Sequence, residues 1–224
     1  MSKFAPHSSS ALGHSSQMTD LCQTLLASDL FTECLQEATR ADLPDWWLCG
    51  GIIREIVWAS LTTQEPTVVD IDLIYFDQEI TARDHDRSLE VLLGTSALGV
   101  PWSIKNQARM WRRAGDIPYK SSLEALIAAP DSISSIGVKK DKADKLLVFA
   151  PYGLDDLFRM CLAPTEIYLR TRHVWEFRAR IKNKGWLKRW PDARQDDEPR
   201  CLLSTHPVEW HEIGESAYAR LRNS

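Results

Sequence analysis

Residues 49–55 read Cys49-Gly50-Gly51-Ile52-Ile53-Arg54-Glu55, and after a loop residues 68–76 read Val68-Val69-Asp70-Ile71-Asp72-Leu73-Ile74-Tyr75-Phe76. The β-branched and aromatic residues around the two aspartates predict a buried strand. Side chains two positions apart on a strand point to the same face, so Asp70 and Asp72 present two carboxylates side by side. Carboxylates this close repel each other, and a hard divalent cation such as Mg²⁺ removes that repulsion.

The glycine pair precedes a predicted helix over residues 52–61. Glycine allows backbone N–H groups to come close to a phosphate at the start of a helix. A phosphate-binding turn beside a two-carboxylate metal site is typical of phosphoryl or nucleotidyl transfer. The structural alternatives are a tight turn at Gly50 and salt bridges from the aspartates to Arg54 or Lys105. Arg54 itself faces either a triphosphate or Asp72.

The overall composition narrows the class of protein. The chain has 224 residues, of which 44% are hydrophobic, and this suffices for one large domain with a buried core. The formal net charge of -4 argues against a general polyanion binder. The five cysteines include no Cys-x-x-Cys pair, which argues against a zinc ribbon or a disulfide scaffold. No apolar run has the roughly 18 residues of a spanning helix and no signal peptide is evident, so we expect a cytoplasmic protein with no membrane partner.

The periodicity of the apolar residues divides the chain into three parts. Residues 1–17 are rich in Ser and His and have no periodicity, which predicts a disordered tail. Residues 18–191 are predicted to form one domain, and residues 192–224 a C-terminal extension. Inside the domain, alternating helices and strands predict an α/β (α+β) fold with a small mixed β-sheet flanked by helices.

Further elements are predicted inside this domain. A helical pattern over residues 18–41 is broken near Ser28, which resembles a new N-cap. The remaining predictions are a helix over 84–93, a strand over 102–106, a helix over 122–129, a hairpin of 136–139 with 146–150, and a long basic helix over 168–182. The basic helix carries tryptophans, and it either binds an RNA backbone or packs its aromatic side chains on the sheet with a solvated basic face.

Four blocks of sequence, taken in order, resemble the nucleotidyltransferase superfamily, the fold shared by DNA polymerase beta, poly(A) polymerases and CCA-adding enzymes. Gly50-Gly51-Ile52-Ile53-Arg54-Glu55 is similar to the Gly-Gly-x-Val-Arg-Asp signature of the CCA-adding branch. The other blocks are Asp70-Ile71-Asp72-Leu73-Ile74-Tyr75-Phe76-Asp77, Lys105-Asn106-Gln107-Ala108-Arg109-Met110 and Ala150-Pro151-Tyr152-Gly153-Leu154-Asp155-Asp156-Leu157-Phe158. With the closing stretch from Trp186 to Trp190-Pro191, they resemble a family of small nucleotidyltransferase-like proteins of bacterial and fungal type.

The resemblance implies Mg²⁺-dependent transfer of a nucleoside monophosphate from an NTP to an acceptor hydroxyl. Asp70 and Asp72 are then the catalytic residues and hold two Mg²⁺ ions. The nucleotide-binding residues that it implies are Gly50, Gly51, Arg54, Lys105, Asn106 and Arg109. The candidate acceptors are a tRNA, another RNA, an aminoglycoside-like small molecule or a protein side chain.

The sequence departs from the family pattern near the expected pocket. Glu55 replaces the usual Asn, Ala59 replaces the usual Asp or Asn, and Trp111 replaces the usual His. The predicted strand over 102–106, which would supply a third carboxylate, contains no acid. Either the aspartate pair is sufficient for catalysis, or the protein is a catalytically inactive nucleotide- or RNA-binding module. A third interpretation is a protein-interaction domain that has kept only the scaffold.

Overall fold

The computed structural model of the protein describes residues 9–94 and 99–210. Within them the helices are α1 (Ser9–Leu26), α2 (Asp29–Ala41), α3 (Gly51–Leu61), α4 (Arg83–Leu93), α5 (Gln107–Ala114), α6 (Ser122–Ile127), α7 (Asp155–Phe158), α8 (Glu166–Leu169), α9 (Val174–Lys184) and α10 (Trp186–Arg189). The strands are β1 (Trp47–Cys49), β2 (Ile71–Tyr75), β3 (Trp102–Asn106), β4 (Gly137–Lys140), β5 (Leu146–Phe149), β6 (Cys161–Leu162), β7 (Arg194–Gln195) and β8 (Val208–Trp210). In the described ranges, no helix is both long and apolar enough to cross a membrane.

The main sheet of the described residues has six strands in the order β3-β2-β1-β4-β5-β8. Strands β2 and β3 run parallel, whereas the other neighbours in this sheet pair antiparallel. The predicted α/β (α+β) class, with a mixed sheet flanked by helices, is therefore confirmed. Strand β2, which carries Asp72, is hydrogen-bonded to β1 on one side and to β3 on the other.

The two faces of β2 have different surroundings. Ile71, Leu73 and Tyr75 are fully buried in the main hydrophobic core, which also contains the apolar faces of helices α1 to α3. Because side chains alternate along a strand, Asp72 and Ile74 lie on the opposite face. That face is covered only by a smaller buried cluster, and Asp72 therefore sits where the main core does not cover the sheet.

The helical pattern over residues 18–41 forms two helices, as predicted. The Ser28 hydroxyl accepts a hydrogen bond from the backbone N–H of Phe31 (3.4 Å) and caps the start of α2. Phe31, Cys34, Leu35 and Ala38 then form a buried stripe at helical spacing. This stripe fixes the helix pair against the main core.

The prediction of one basic helix over 168–182 is wrong, because two caps interrupt it. The Thr165 hydroxyl accepts a hydrogen bond from the backbone N–H of Tyr168 (3.2 Å) and starts the short helix α8. A second helix, α9, begins after His173, whose backbone N–H donates to the Glu176 carboxylate (3.0 Å). The residues predicted as one basic helix therefore form two separate helices joined by a short loop.

The predicted limits of the domain, residues 18 and 191, fall inside packed structure. Helix α1 begins at Ser9, and the Gln17 side chain donates a hydrogen bond to Asp155 (2.7 Å). Beyond residue 191, β8 pairs with β5 through Val148 and Val208, so that this part of the extension completes the main sheet. The predicted boundaries miss these contacts because each joins residues that are far apart in the sequence. Residues 1–8 and 211–224 of the predicted tail and extension lie outside the described residues.

Candidate active site

The turn between β1 and α3 requires glycine at its first position. Gly50 has φ +70 and ψ -128, a conformation that residues with a side chain rarely adopt. A Cβ placed at Gly50 would also lie 2.7 Å from the Oδ2 atom of Asp72. Two separate constraints, the backbone conformation and the approach of Asp72, therefore exclude a side chain here.

Asp72 is the carboxylate at the centre of the site. The Ser103 hydroxyl and the backbone N–H of Gly51 both donate hydrogen bonds to it. Burial raises the pKa of Asp72 above its usual range, and the negative charge of Asp70 raises it further. The two hydrogen bonds and the positive charge of Lys184 offset only part of this increase. The structure thus places a carboxylate that is costly to ionise at the N-terminus of α3.

Asp70 lies one residue ahead of β2 and is exposed, which differs from the predicted position inside the strand. Both aspartates nevertheless line the same cavity, as their spacing predicts. Within the described residues, no group of three or more His, Cys, Asp or Glu side chains is arranged to hold a metal ion. Magnesium, however, often takes only one or two carboxylates and completes its shell with water and substrate phosphates. The donor set and the raised pKa of Asp72 therefore fit a cation that is shared with a nucleotide.

A cavity of about 890 Å³ opens in front of the two aspartates. This volume is within the usual range of small-molecule sites. Residues from β2, α3, α5, α6 and α8 to α10 contribute to its walls. The charged and polar side chains that line it include Arg54, Asp70, Asp72, Gln107, Arg180 and Lys184.

Arg54 lies in the wall of this cavity and is 8% exposed. Its guanidinium is 4.4 Å from the centre of the Trp186 ring, and its Nη2 atom is 3.2 Å from the Glu55 carboxylate. Among the described residues, its Nε atom has no hydrogen-bond partner. A buried donor without a partner is costly, and a ligand oxygen in the cavity would satisfy it.

The cavity is also lined by basic residues that were not predicted to belong to the site. Arg172 pairs with Asp116 (3.0 Å) and Arg180 with Asp131 (3.5 Å). Lys184 forms no ion pair with any described residue, and its charge acts on Asp72. Arg180 and Lys184 are four positions apart, which places both side chains on one face of a helix. This spacing is the feature of the sequence that could have identified them as a pair of basic residues at the site.

Three of the predicted nucleotide-binding residues have other partners and do not line the cavity. Lys105 pairs with Glu90 (2.6 Å) on α4, and Arg109 forms an ion pair with Asp86 on the same helix. The Asn106 side chain caps α5 and bonds to the backbone of the turn that follows β2. Asp86 and Glu90 are four positions apart on α4, so both carboxylates lie on one face of the helix. Arg109 and Lys105 pair with these carboxylates and not with Asp70 or Asp72. Of the six predicted nucleotide-binding residues, the structure brings Gly50, Gly51 and Arg54 together at the cavity.

Comparisons with known proteins agree with this architecture. The family model described as nucleotidyltransferase matches residues 36–194. An NMR structure described as revealing the head domain of a CCA-adding enzyme is similar in fold, with a TM-score of 0.72 and 23% sequence identity. The match covers 80% of this chain and 96% of that chain. No curated protein matches the chain.

The family match spans the Gly50–Gly51 turn, both aspartates and the helices that surround the cavity. It covers well over half of the chain, and the fold of the structural neighbour is consistent with it. The chain therefore belongs to the nucleotidyltransferase family and is a transferase of nucleotidyl groups.

Proposed function

We propose that this protein transfers a nucleoside monophosphate from an NTP to an acceptor hydroxyl in a reaction that depends on Mg²⁺. The observation that carries this proposal is the position of Asp70 and Asp72 beside the Gly50–Gly51 turn, at the wall of a nucleotide-sized cavity. The preference of Mg²⁺ for carboxylate and phosphate oxygens supports it.

The two aspartates have different roles in this proposal. Asp72, held rigidly between β1 and β3, would provide a fixed oxygen ligand, and the exposed Asp70 would provide the second. Bound Mg²⁺ would lower the pKa of the acceptor hydroxyl and stabilise the charge of the leaving pyrophosphate. Asp70 and Asp72 would therefore contribute to the reaction by holding Mg²⁺ beside the reacting phosphate.

The basic side chains of the cavity would bind the remaining phosphates. Arg54 offers its Nε donor, which has no partner among the described residues, and Lys184 offers an ammonium group. Since charge builds on the phosphate oxygens during transfer, fixed cations that line the cavity favour the transition state. Within residues 9–94 and 99–210, a Cβ at Gly51 would meet only the Nη2 atom of Arg54, at 3.9 Å. The absence of a side chain at Gly51 therefore leaves room for the triphosphate at the N-terminus of α3.

One observation favours a catalytically inactive nucleotide-binding module as a second candidate. On β3, the residue opposite Asp72 is Ser103, which donates a hydrogen bond where a third carboxylate would otherwise lie. Such a module would bind NTP without releasing pyrophosphate. A pyrophosphate-release assay with RNA and small-molecule acceptors separates the two candidates.

Ligand-induced thermal stabilisation tests the site directly. We expect the melting temperature of the wild type to rise with at least one of the four NTPs, and only when Mg²⁺ is present. A ligand at one hundred times its Kd stabilises the folded state by about 2.7 kcal/mol, which such a measurement detects readily. The increase should be absent in Asp72→Asn, because the metal loses its best-fixed ligand.

Asp84→Asn is the matched control for this measurement. It removes the same charge from a side chain that is 87% exposed and lies on α4, away from the cavity. The control should respond to NTP and Mg²⁺ as the wild type does. An Mg²⁺-dependent increase that survives in Asp72→Asn, or no increase in the wild type at millimolar NTP, would contradict the proposed site.

A further inference from the structure

The two aspartates are held in place by different parts of the structure. Asp72 lies inside the sheet, where hydrogen bonds to β1 and β3 fix its backbone. Asp70 lies just before β2, at the end of residues 62–70, which contain no helix or strand. The position of Asp70 therefore depends on whatever holds this loop.

The side chain of Arg189, at the end of α10, holds the middle of the loop. Its Nη1 donates a hydrogen bond to the side-chain oxygen of Gln64, and its Nη2 donates to the carbonyl of Glu65. Nη2 also donates to the Thr67 hydroxyl (3.0 Å). The guanidinium lies 4.5 Å from the centre of the Trp190 ring, which orients the fork of donors. One side chain thus contacts three residues of a loop that otherwise lacks regular structure.

Glu55 lies on α3 and connects the same loop to Trp190, the residue that follows α10. Its Oε2 accepts a hydrogen bond from the backbone N–H of Thr67 (3.3 Å), and its Oε1 accepts one from the Trp190 indole (3.1 Å). Glu55 is 5% exposed and Trp190 is fully buried, edge-on to Trp58 at 5.8 Å. Glu55, which departs from the family pattern, therefore accepts hydrogen bonds both from the loop and from the indole of Trp190.

We propose that Arg189 and Trp190 are positioning residues, which fix the loop over residues 62–67 and thereby place Asp70 beside Asp72 for cation binding. This inference rests on the proposed function, since it assigns a role to residues outside the metal site of that function. It explains why Glu55, Arg189 and Trp190 are joined in one hydrogen-bonded cluster next to the cavity.

The dependence of one mutational effect on Asp70 separates positioning from simple electrostatics. Arg189 lines the cavity, so its positive charge favours the net negative complex of NTP and Mg²⁺. If only charge mattered, Arg189→Ala would weaken binding equally in the presence and absence of Asp70, and Arg189→Lys would have no effect. If Arg189 positions Asp70, Arg189→Ala releases the loop and weakens binding only while Asp70 is present.

The experiment is an Mg²⁺ titration of the NTP-dependent increase in melting temperature, carried out on the full-length protein. For Arg189→Ala we expect the half-saturating Mg²⁺ concentration to rise about tenfold, an energy within the range of coupled neighbours. Arg189→Lys keeps the charge but lacks the planar fork, so its increase should be smaller but in the same direction. Lys188→Ala, which removes a neighbouring exposed charge, should stay within about twofold of the wild type.

A double-mutant cycle identifies the group through which Arg189 acts. In an Asp70→Asn background, Arg189→Ala should cause no further change in the half-saturating Mg²⁺ concentration, because the positioned ligand is already lost. Trp190→Phe keeps an aromatic ring against Trp58 but removes the indole N–H, and it should raise the Mg²⁺ requirement as well. This milder variant gives the answer if Arg189→Ala does not fold.

The outcomes distinguish failure of this inference from failure of the proposed function. If the wild type shows no Mg²⁺-dependent shift, the proposed function fails. If the wild type shifts and both Arg189→Ala and Trp190→Phe need the same or less Mg²⁺, the positioning role alone is overturned. An undiminished effect of Arg189→Ala in the Asp70→Asn background also overturns it.

Discussion

A carboxylate that is shielded from water and lies beside a second carboxylate costs folding free energy when it is ionised. Asp72 is in this situation, since burial and Asp70 both raise its pKa above the ordinary value of 3.8. A group whose pKa is raised by folding contributes stability below its unfolded pKa and loses that contribution as the pH rises through the folded pKa. Without a divalent cation, Asp72 therefore destabilises the fold at neutral pH.

We predict that Asp72→Asn is more stable than the wild type at pH 7 in the presence of EDTA. The asparagine oxygen can still accept a hydrogen bond from Ser103 or Gly51, and the uncompensated charge is gone. The difference should disappear as the pH falls toward 3.8, where the wild-type carboxyl also becomes neutral. Urea unfolding of both proteins between pH 4 and pH 8 measures it. A variant that is less stable at every pH would show that the hydrogen bonds need the charged oxygen.

At the residue scale, the sequence identifies those site residues whose geometry is local. Gly50 and Asp72 line the cavity because one turn and one strand determine where they point, whereas Asp70 lies in the loop before that strand. Lys105 and Arg109 were grouped with them, but their partners belong to α4, which meets β3 only in the tertiary structure. A pattern along the chain does not reveal which acid a given base will meet.

The C-terminal segment over 192–210 pairs with the rest of the fold through β7 and β8, and Arg200, which lies between these strands in the sequence, adds side-chain contacts. Its guanidinium donates to Asp156 at the start of α7 (2.8 and 3.0 Å) and to Asp196 (2.9 Å). The hydrogen bond to Asp156, followed by the contact with Asp196, raises the pKa of Arg200 and so favours its charged form. The segment thus packs as an element of the domain.

Replacing Arg200 by alanine should destabilise the protein by about 1–3 kcal/mol, because Asp156 keeps its charge in a largely buried position. In the part of the chain that the structure describes, Asp156 is then left with no cation beside it and only the Ser132 hydroxyl as a hydrogen-bond donor. Chemical denaturation measures the difference in the free energy of unfolding. Arg178→Ala is the matched control, since it breaks an arginine–aspartate pair whose arginine side chain is 55% exposed. The control should change stability by less than about 1 kcal/mol. Equal effects of both substitutions would contradict the role of Arg200.

Element boundaries were predicted well where one cap or one buried stripe decides them. The break at Ser28 is an example, since a serine before an apolar stripe is a strong start signal. The division between α8 and α9 was missed because basic residues continue across it and hide the caps at Thr165 and His173. Strand β8 was missed because three residues carry too little periodicity to predict a strand.

At the scale of the whole molecule, the reactivity of the five cysteines measures which parts of the fold are accessible to solvent. Cys22, Cys34, Cys49 and Cys161 are buried, whereas Cys201 is exposed, and all five are free thiols. Burial raises the pKa of Cys22 and of Cys34 to about 12, and it raises the pKa of Cys49 and Cys161 as well. Since the thiolate is the reactive form, these four thiols should resist alkylation in the folded protein.

We therefore expect iodoacetamide at pH 8 to add one group to the native protein, at Cys201, and five groups after denaturation in urea. Mass spectrometry of the intact protein and of its peptides gives both counts. Rapid modification of Cys49 in the native state would contradict the closed packing of β1 against β2. Protection of Cys201 would show that the C-terminal segment is covered in solution.

The class of fold could be predicted from the sequence, because the alternation of elements and the resemblance of four ordered blocks are both visible along the chain. The cluster that joins Glu55 to Trp190 could not, since 135 residues separate the two. Such a contact exists only once the helices have packed, and no local pattern encodes it.

The contact between Arg189 and the loop before Asp70 also has a consequence during translation. Arg189 follows Gln64 by 125 residues, an interval that takes a ribosome on the order of 6–25 s at roughly 5–20 residues per second. During that interval the nascent chain exposes both aspartates while the loop is still unfixed. If the loop depends on Arg189 as proposed, a polypeptide that stops before Arg189 contains both candidate metal ligands and lacks the contact that orders one of them. We therefore expect Mg²⁺-dependent nucleotide binding only after synthesis has passed α10.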